Sequence, residues 1–390
     1  MLTQYPHTPE EERLGGIMQA GFRLVQAIAR SELPNFQLCV ITESESVRAT
    51  ETLRLSDSVE VRFFPKRRTL VNSLSFEYLN ALEILKEGVR SFNPDLLHVQ
   101  GKVNYLLAGQ FVRGIPCVST IHGIFKNEMK VVNSRPGIRG FIIRHLKTVL
   151  ESIYCARMRY LIAITDEVSA FVKSKSKDVK VFRINNAIDN SFFSVTPIST
   201  QTEKRILFVA AITYRKGLDF LLKAMVSVAD QFPDAKLRIA GIWDWDQSYV
   251  KSLQTEYATY INTGAITFLG GITQEQLLQE MQESLLFCLP SRAESAPMVI
   301  AQALAAGRPV IASNVGGIPA MVTDGVTGHL WNVGDVGSLG KLICTVLSDR
   351  ELAKQMGMQS RQESFARYSS EGIAIATVNA YRNVLRSEIV

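Results

Sequence analysis

Short apolar runs alternate along the chain with stretches spaced like helices. Leu38-Cys39-Val40-Ile41, Leu96-Leu97-His98-Val99, Pro116 to Ile121, Tyr160 to Ile164 and Val179 to Ile184 read as strands. Unbroken apolar runs of this length suit strands buried on both faces. Val59-Glu60-Val61-Arg62-Phe63 alternates instead, which predicts a strand nearer a sheet edge. Leu2 to Pro6 is too short for a comfortable first strand. Met18 to Ala29, Phe76 to Val89 and the stretch through Leu106-Leu107 carry helical spacing, and Thr165 suits the N-cap of a helix from Asp166. Regular βα alternation predicts a parallel, doubly wound α/β sheet.

Residues 195–204 break the pattern. They are polar, rich in Thr and Ser, and without periodicity, so they read as a linker between a domain over 1–194 and a second over 205–370. Alternation then resumes at Ile206-Leu207-Phe208-Val209. Leu218, Leu221, Leu222 and Met225 mark one face of a helix. Strands follow at Leu237 to Ala240, Ile266 to Leu269, Leu285 to Leu289 and Val310 to Ala312, and Ile373 to Leu385 is helical.

Composition supports two full cores: 390 residues, of which 46% are hydrophobic and 21% charged. No apolar run approaches the roughly 20 residues of a membrane span, and the N-terminus lacks a basic region followed by an apolar core. The five cysteines are scattered and form no CxxC pair, so they read as small core residues in a reducing, cytoplasmic setting. The net charge of +6 permits an anionic partner. A nucleic acid is not expected, because no basic stripe is interleaved with aromatics. Lys66-Arg67-Arg68 and the group Arg139, Arg144, Lys147 and Arg157 are basic clusters. The second does not share one helical face, so both read as solvated surface, with peripheral contact at the inner face of a membrane as the other option.

The chemistry concentrates in Pro290 to Ile311. An apolar strand ends at Pro290-Ser291, a helix fits from Met298, and Gly307 and Pro309 stop it. Glu294 therefore sits in a loop at the carboxyl end of a parallel strand, where open α/β sheets bind ligands. The free N–H groups of Met298 and Val299 suit an anion without a metal. Arg215-Lys216-Gly217, in the loop after the strand at Phe208, pairs two cations with another helix start and suits a diphosphate. His122 ends a strand just before Gly123, whereas His98 lies mid-strand and reads as a core histidine. Gly15-Gly16 turns into the first helix, and Gly270-Gly271 follows the strand at Phe268. Asp244-Trp245-Asp246 reads as a loop, and no metal is predicted.

The Glu294-to-Gln302 spacing resembles the Glu-x7-Glu motif of family-4 retaining glycosyltransferases, and Ala305-Ala306-Gly307-x-Pro309-Val310 follows as in that family. Four positions depart from it: Gln302 replaces a Glu, Ala210-Ala211 stand where Gly-Arg is usual, and Ala320 replaces a Glu after Pro319. The resemblance implies the GT-B architecture, two Rossmann-like domains facing across a cleft, with a C-terminal helix at about 371–390 crossing back to the first. It implies a nucleoside diphosphate sugar as donor substrate, a saccharide or lipid-linked hydroxyl acceptor, and no cofactor. Glu294 would lie at the sugar and diphosphate, Gln302 at the ribose and His122 at the transferred sugar. Gly15 and Gly16 would flank the phosphates, Lys216 and Arg215 would bind them, and Gly270 would approach the base. A fold-keeping scaffold without activity and a nucleotide-sugar epimerase are the alternatives.

Overall fold

The computed structural model describes residues 1–8, 16–31, 33–66, 77–125, 138–199, 201–244 and 246–389, with the side chains of 138–144 and 389 left out. The described residues divide into two compact units, those up to Ala187 together with Tyr368 onward, and Ile188–Arg367.

The first unit runs α1 (Gly16–Arg30), β1 (Leu38–Ser44), β2 (Glu51–Ser56), β3 (Val59–Pro65), α2 (Tyr78–Phe92), β4 (Leu97–Gln100) and α3 (Val103–Gly109). It continues with β5 (Cys117–Ile121), α4 (Ile138–Ala156), β6 (Tyr160–Ala163), α5 (Asp166–Lys173) and β7 (Lys180–Arg183). The ladders run in the orders β1-β3-β2 and β4-β5-β6-β7, all parallel except β2 against β3. Leu2 bridges them, pairing in parallel with Ile41 on one side and Val99 on the other. Its N–H donates to the His98 carbonyl at 2.8 Å, and its own carbonyl accepts from Gln100 at 3.1 Å. Leu2 is thus a fully buried link between the two ladders.

One further expectation changes here, and one holds. The alternating strand β3 is not an edge, because it pairs on both sides. The edge is β2, largely exposed, which the apolar pattern did not reveal. Thr165 caps α5, accepting from the Val168 N–H at 3.2 Å.

The second unit runs β8 (Arg205–Val209), α6 (Leu218–Gln231), β9 (Lys236–Ala240), α7 (Gln247–Glu256), α8 (Ala258–Asn262), β10 (Ile266–Gly270), α9 (Gln274–Glu283) and β11 (Leu286–Leu289). It ends with α10 (Met298–Ala305), β12 (Val310–Ser313), β13 (Gly328–Trp331), α11 (Val336–Ser348) and α12 (Arg350–Tyr368). Its six strands are all parallel in the order β10-β9-β8-β11-β12-β13. The helix face Leu218, Leu221, Leu222 and Met225 is buried. The polar run at 195–204 groups with this unit. Arg308 donates to the Thr196 carbonyl and Arg361 to that of Val195, so the segment read as a linker is fastened along its start.

The last helix, α13 (Ser370–Ile389), belongs to the first unit. Ile373, Ala374, Val378, Tyr381 and Val384 join Phe22, Val25 and Ile28 of α1 in one core cluster. Tyr381 also reaches the sheet, its hydroxyl lying 2.6 Å from His98 Nδ1, while His98 Nε2 lies 2.7 Å from Thr120 Oγ1. His98 is the satisfied core histidine that its mid-strand position predicts.

Candidate active site

In the second sheet, β8 leads to β9 and β10 on one side, and the chain then returns to lay β11 on the other side of β8. The loops leaving β8 and β11 diverge there. Such a switch point is the ligand crevice of an open parallel sheet, because no crossover covers it. Both charged loops singled out from sequence leave these two strands.

After β8, Tyr214–Lys216 form one 3-10 turn, and Gly217 starts α6 at φ 68°. A Cβ on Gly217 would lie 2.0 Å from the Pro290 carbonyl oxygen. Only glycine lets the two loops approach so closely with that backbone. After β11, Ser291 is buried, and Glu294 keeps only 6% of its side chain exposed. Glu294 Oε1 accepts from the Lys216 ammonium and, at 2.9 Å, from Ser291 Oγ. Its Oε2 accepts from Arg215 Nη1 at 3.4 Å, and the same nitrogen donates to the Ala293 carbonyl at 3.0 Å. Burial alone would raise the Glu294 pKa, but Lys216, Arg215 and the Ser291 hydroxyl outweigh it and hold the carboxyl below its usual value. Gly316 backs this loop at φ 54°, where a Cβ would lie 1.7 Å from the Glu294 carbonyl oxygen. The Val315–Pro319 turn is therefore part of the support of Glu294.

Helix α10 opens at Met298 behind Pro297, with no side-chain cap on its first amides. Met298 and Val299 are half-buried, as is Gln302 one turn further along the same helix. Gly270 ends β10 at φ 73°, and a Cβ there would lie 3.6 Å from the Trp243 ring. It sits two strands away from β8.

Gly16 and His122 lie in the first unit. Gly16 is the exposed first residue of α1, and nothing lies within 4 Å of a Cβ built on it. Gly15 falls outside the described residues. His122 follows β5 directly, and its Nε2 is buried with no hydrogen-bond partner among the described residues. Burial lowers its pKa from 6.5 to about 4. Of the basic clusters, three side chains are described: Lys66 bonds Glu45 and Glu77, Arg157 lies over the Phe111 ring, and Lys147 lies over that of Phe125, while the side chains of Arg139 and Arg144 fall outside the described residues. Arg67 and Arg68 fall outside the described residues.

Sequence reasoning missed Arg292, Asp219 and Tyr249. Arg292 donates to both Asp219 oxygens, at 2.8 and 2.7 Å, and Tyr249 donates to Asp219 Oδ1 at 2.8 Å. Burial opposes ionisation of Asp219, yet these donors leave its pKa lowered. Arg292 and Asp219 are 73 residues apart, so no local periodicity could pair them. The available signal was an arginine two residues before Glu294 and an aspartate three after Lys216.

Two α/β units with largely parallel sheets, the second carrying a charged switch-point crevice, have the make-up of the GT-B fold. Residues 15–192 match the model of Glycosyltransferase Family 4, and residues 193–363 match that of Glycosyl transferases group 1. The chain belongs to the family-4 GT-B glycosyltransferases. It is 26% identical to N-acetyl-alpha-D-glucosaminyl L-malate synthase of Bacillus anthracis, over 76% of each chain. It is also 26% identical to glycogen synthase of Mycobacterium tuberculosis, over 77% of this chain and 71% of that one. Among solved structures, sucrose-phosphate synthase from Thermosynechococcus elongatus superposes with a TM-score of 0.80 at 20% identity, covering 99% of this chain and 96% of that one. Anabaena HepE, solved with UDP and glucose, gives a TM-score of 0.71 at 17% identity, covering 98% and 99%.

Proposed function

We propose that this glycosyltransferase is a retaining, metal-independent hexosyltransferase. It takes a sugar from a nucleoside diphosphate and passes it to a hydroxyl of a saccharide or lipid-linked acceptor, in polysaccharide or glycolipid synthesis. The bond from the anomeric carbon to the diphosphate oxygen breaks, a bond to the acceptor oxygen forms on the same face, and the acceptor proton leaves on the departing phosphate. One observation carries this reading: Lys216 and Arg215 converge on Glu294 at the switch point, beside an uncapped helix start. Two cations and free amides supply preorganised stabilisation for a leaving diphosphate.

In this reading Lys216, Arg215 and the Met298 and Val299 amides take the phosphates. Glu294 orients the sugar, Gln302 holds the ribose through its amide, and the backbone at Gly270 meets the base. His122, neutral at physiological pH, hydrogen-bonds a sugar hydroxyl, and the glycines at 15 and 16 flank the phosphates. The HepE complex with UDP and glucose supports a uridine nucleotide donor as the first to try. All five cysteines are free, and a reducing, cytoplasmic setting is part of the same proposal. Among the described residues no helix is long and apolar enough to cross a membrane, and acceptor contact at an inner membrane face belongs to the same proposal.

Melting-temperature shifts with UDP-, GDP- and ADP-sugars identify the donor, since a ligand of the folded state raises the midpoint. Product stereochemistry by NMR then tests retention. Unchanged turnover in Lys216→Ala with that donor refutes the site. Ala211 and Gln302 favour a second reading, a scaffold that keeps the fold without turnover. It predicts neither transfer nor donor hydrolysis.

A further inference from the structure

We infer that Arg292 is the positioning residue of the diphosphate clamp: it holds the β8 loop and the β11 loop in one geometry without touching the donor. The inference rests on the reading of Arg215, Lys216 and Glu294 as the donor phosphate site.

The two loops come from different strands, and a clamp works only if their cations stand at fixed separation. Arg292 supplies that constraint through both backbone and side chain. Its backbone N–H donates to the Arg215 carbonyl at 2.8 Å. Its Nη1 donates to the Tyr214 carbonyl at 2.6 Å and to Asp219 Oδ1 at 2.8 Å, and Nη2 donates to Asp219 Oδ2 at 2.7 Å. The guanidinium lies 3.7 Å from the Tyr214 ring centroid and 4.0 Å from that of Phe220. One side chain therefore grips the residues on both sides of Arg215-Lys216: Tyr214 before them, and Asp219 and Phe220 after.

Arg292 is not itself placed to bind the donor. Only 11% of its side chain is exposed, and both terminal nitrogens already have protein acceptors. Asp219 is held in turn by Tyr249, so the fork meets an oriented carboxylate. A planar fork that is bidentate and stacked cannot be reproduced by lysine. A misplacement of about 1 Å in a catalytic group is enough to cost about 100-fold in rate.

The test is calorimetric titration of the whole chain with UDP, GDP and ADP, and competition with the matching nucleoside. For the diphosphate that binds wild type, Arg292→Lys should weaken affinity about tenfold or more, while nucleoside affinity stays near wild type. In a cycle with Lys216→Ala, the two losses should be less than additive, because Arg292 acts through Lys216 as well as through Arg215. Wild-type diphosphate affinity in Arg292→Lys, a parallel fall in nucleoside affinity, or additive losses in the cycle would overturn the inference. If Arg292→Lys does not fold, Asp219→Asn, which keeps the shape and removes the charge, is judged by the same outcomes. Failure of wild type to bind any of the three diphosphates removes the donor-site reading first, and this inference with it.

Discussion

Lys216 and Glu294 stand 78 residues apart in the chain and form an ion pair between the loops that leave β8 and β11. The carboxylate is buried and shared with Arg215, so in the absence of donor it is the counter-charge of both cations. A diphosphate entering the crevice must compete with Glu294 for them.

Removal of the Lys216 ammonium should therefore act on the transition state. Lys216→Ala is expected to lower kcat about 100- to 1000-fold, the scale of losing one preorganised stabilising donor. Steady-state kinetics with the identified donor measure it. A change in KM alone would mean that Lys216 serves only ground-state binding.

Glu294→Gln should separate binding from turnover. With the carboxylate neutralised, Lys216 and Arg215 are released toward the ligand, so nucleoside diphosphate should bind as tightly as in wild type or more tightly. Transfer of the sugar should fall at the same time. Titration calorimetry beside a transfer assay reads both. A joint loss would show that Glu294 holds the cations in place rather than competing for them.

The buried histidines make stability depend on pH. Burial lowers His98 from 6.5 to about 3, with the Met1 ammonium and His122 adding to it, and lowers His122 to about 4. The folded form of each resists protonation, so the unfolded chain takes up the proton first as pH falls. The histidine contribution should be full above about pH 6.5 and decline below it, by about 1.4 kcal/mol per pH unit for each histidine, and the buried Met1 amine, lowered from 8.0 to about 6, adds a loss that begins below about pH 8. Glu294, with its lowered folded pKa, adds loss in the same direction below the ordinary glutamate range. Urea unfolding over this range checks the slope, and His98→Gln should remove about one proton of it.

Tyr381→Phe tests the tie between the C-terminal helix and the first sheet. It leaves His98 Nδ1 buried without its 2.6 Å partner. A loss of about 1–3 kcal/mol in unfolding free energy is expected. Because Tyr381 lies in the core cluster of the first unit, donor diphosphate affinity should not change. Denaturant unfolding and nucleotide titration on the same sample decide it.

Much of the fold was legible because buried parallel strands announce themselves. Leu285 to Leu289 and Tyr160 to Ile164 are apolar without a break, and β11 and β6 lie within them. Leu2 and β2 were not legible in the same way. Leu2 is a strand only through its pairing with Ile41 and Val99, and β2 is exposed along most of its length. At the site, Glu294 and Arg215-Lys216 carried a local signal, a charged loop between an apolar strand and a helix start. Arg292 and Asp219 did not, because each looks like a surface charge until it meets the other.

By itself the sequence determined the alternation of strand and helix, the apolar faces that close each core, and the two charged loops. Those follow from periodicity and turn chemistry, which act over a few residues. Tertiary structure alone decided that β8 and β11 are neighbours at the switch point, and so that Lys216, Arg215 and Glu294 meet. It also decided that Arg292 locks them there. Strand order is set by how long-range sheet pairing and helix packing together bury the most apolar surface, and no local stretch of chain encodes that sum.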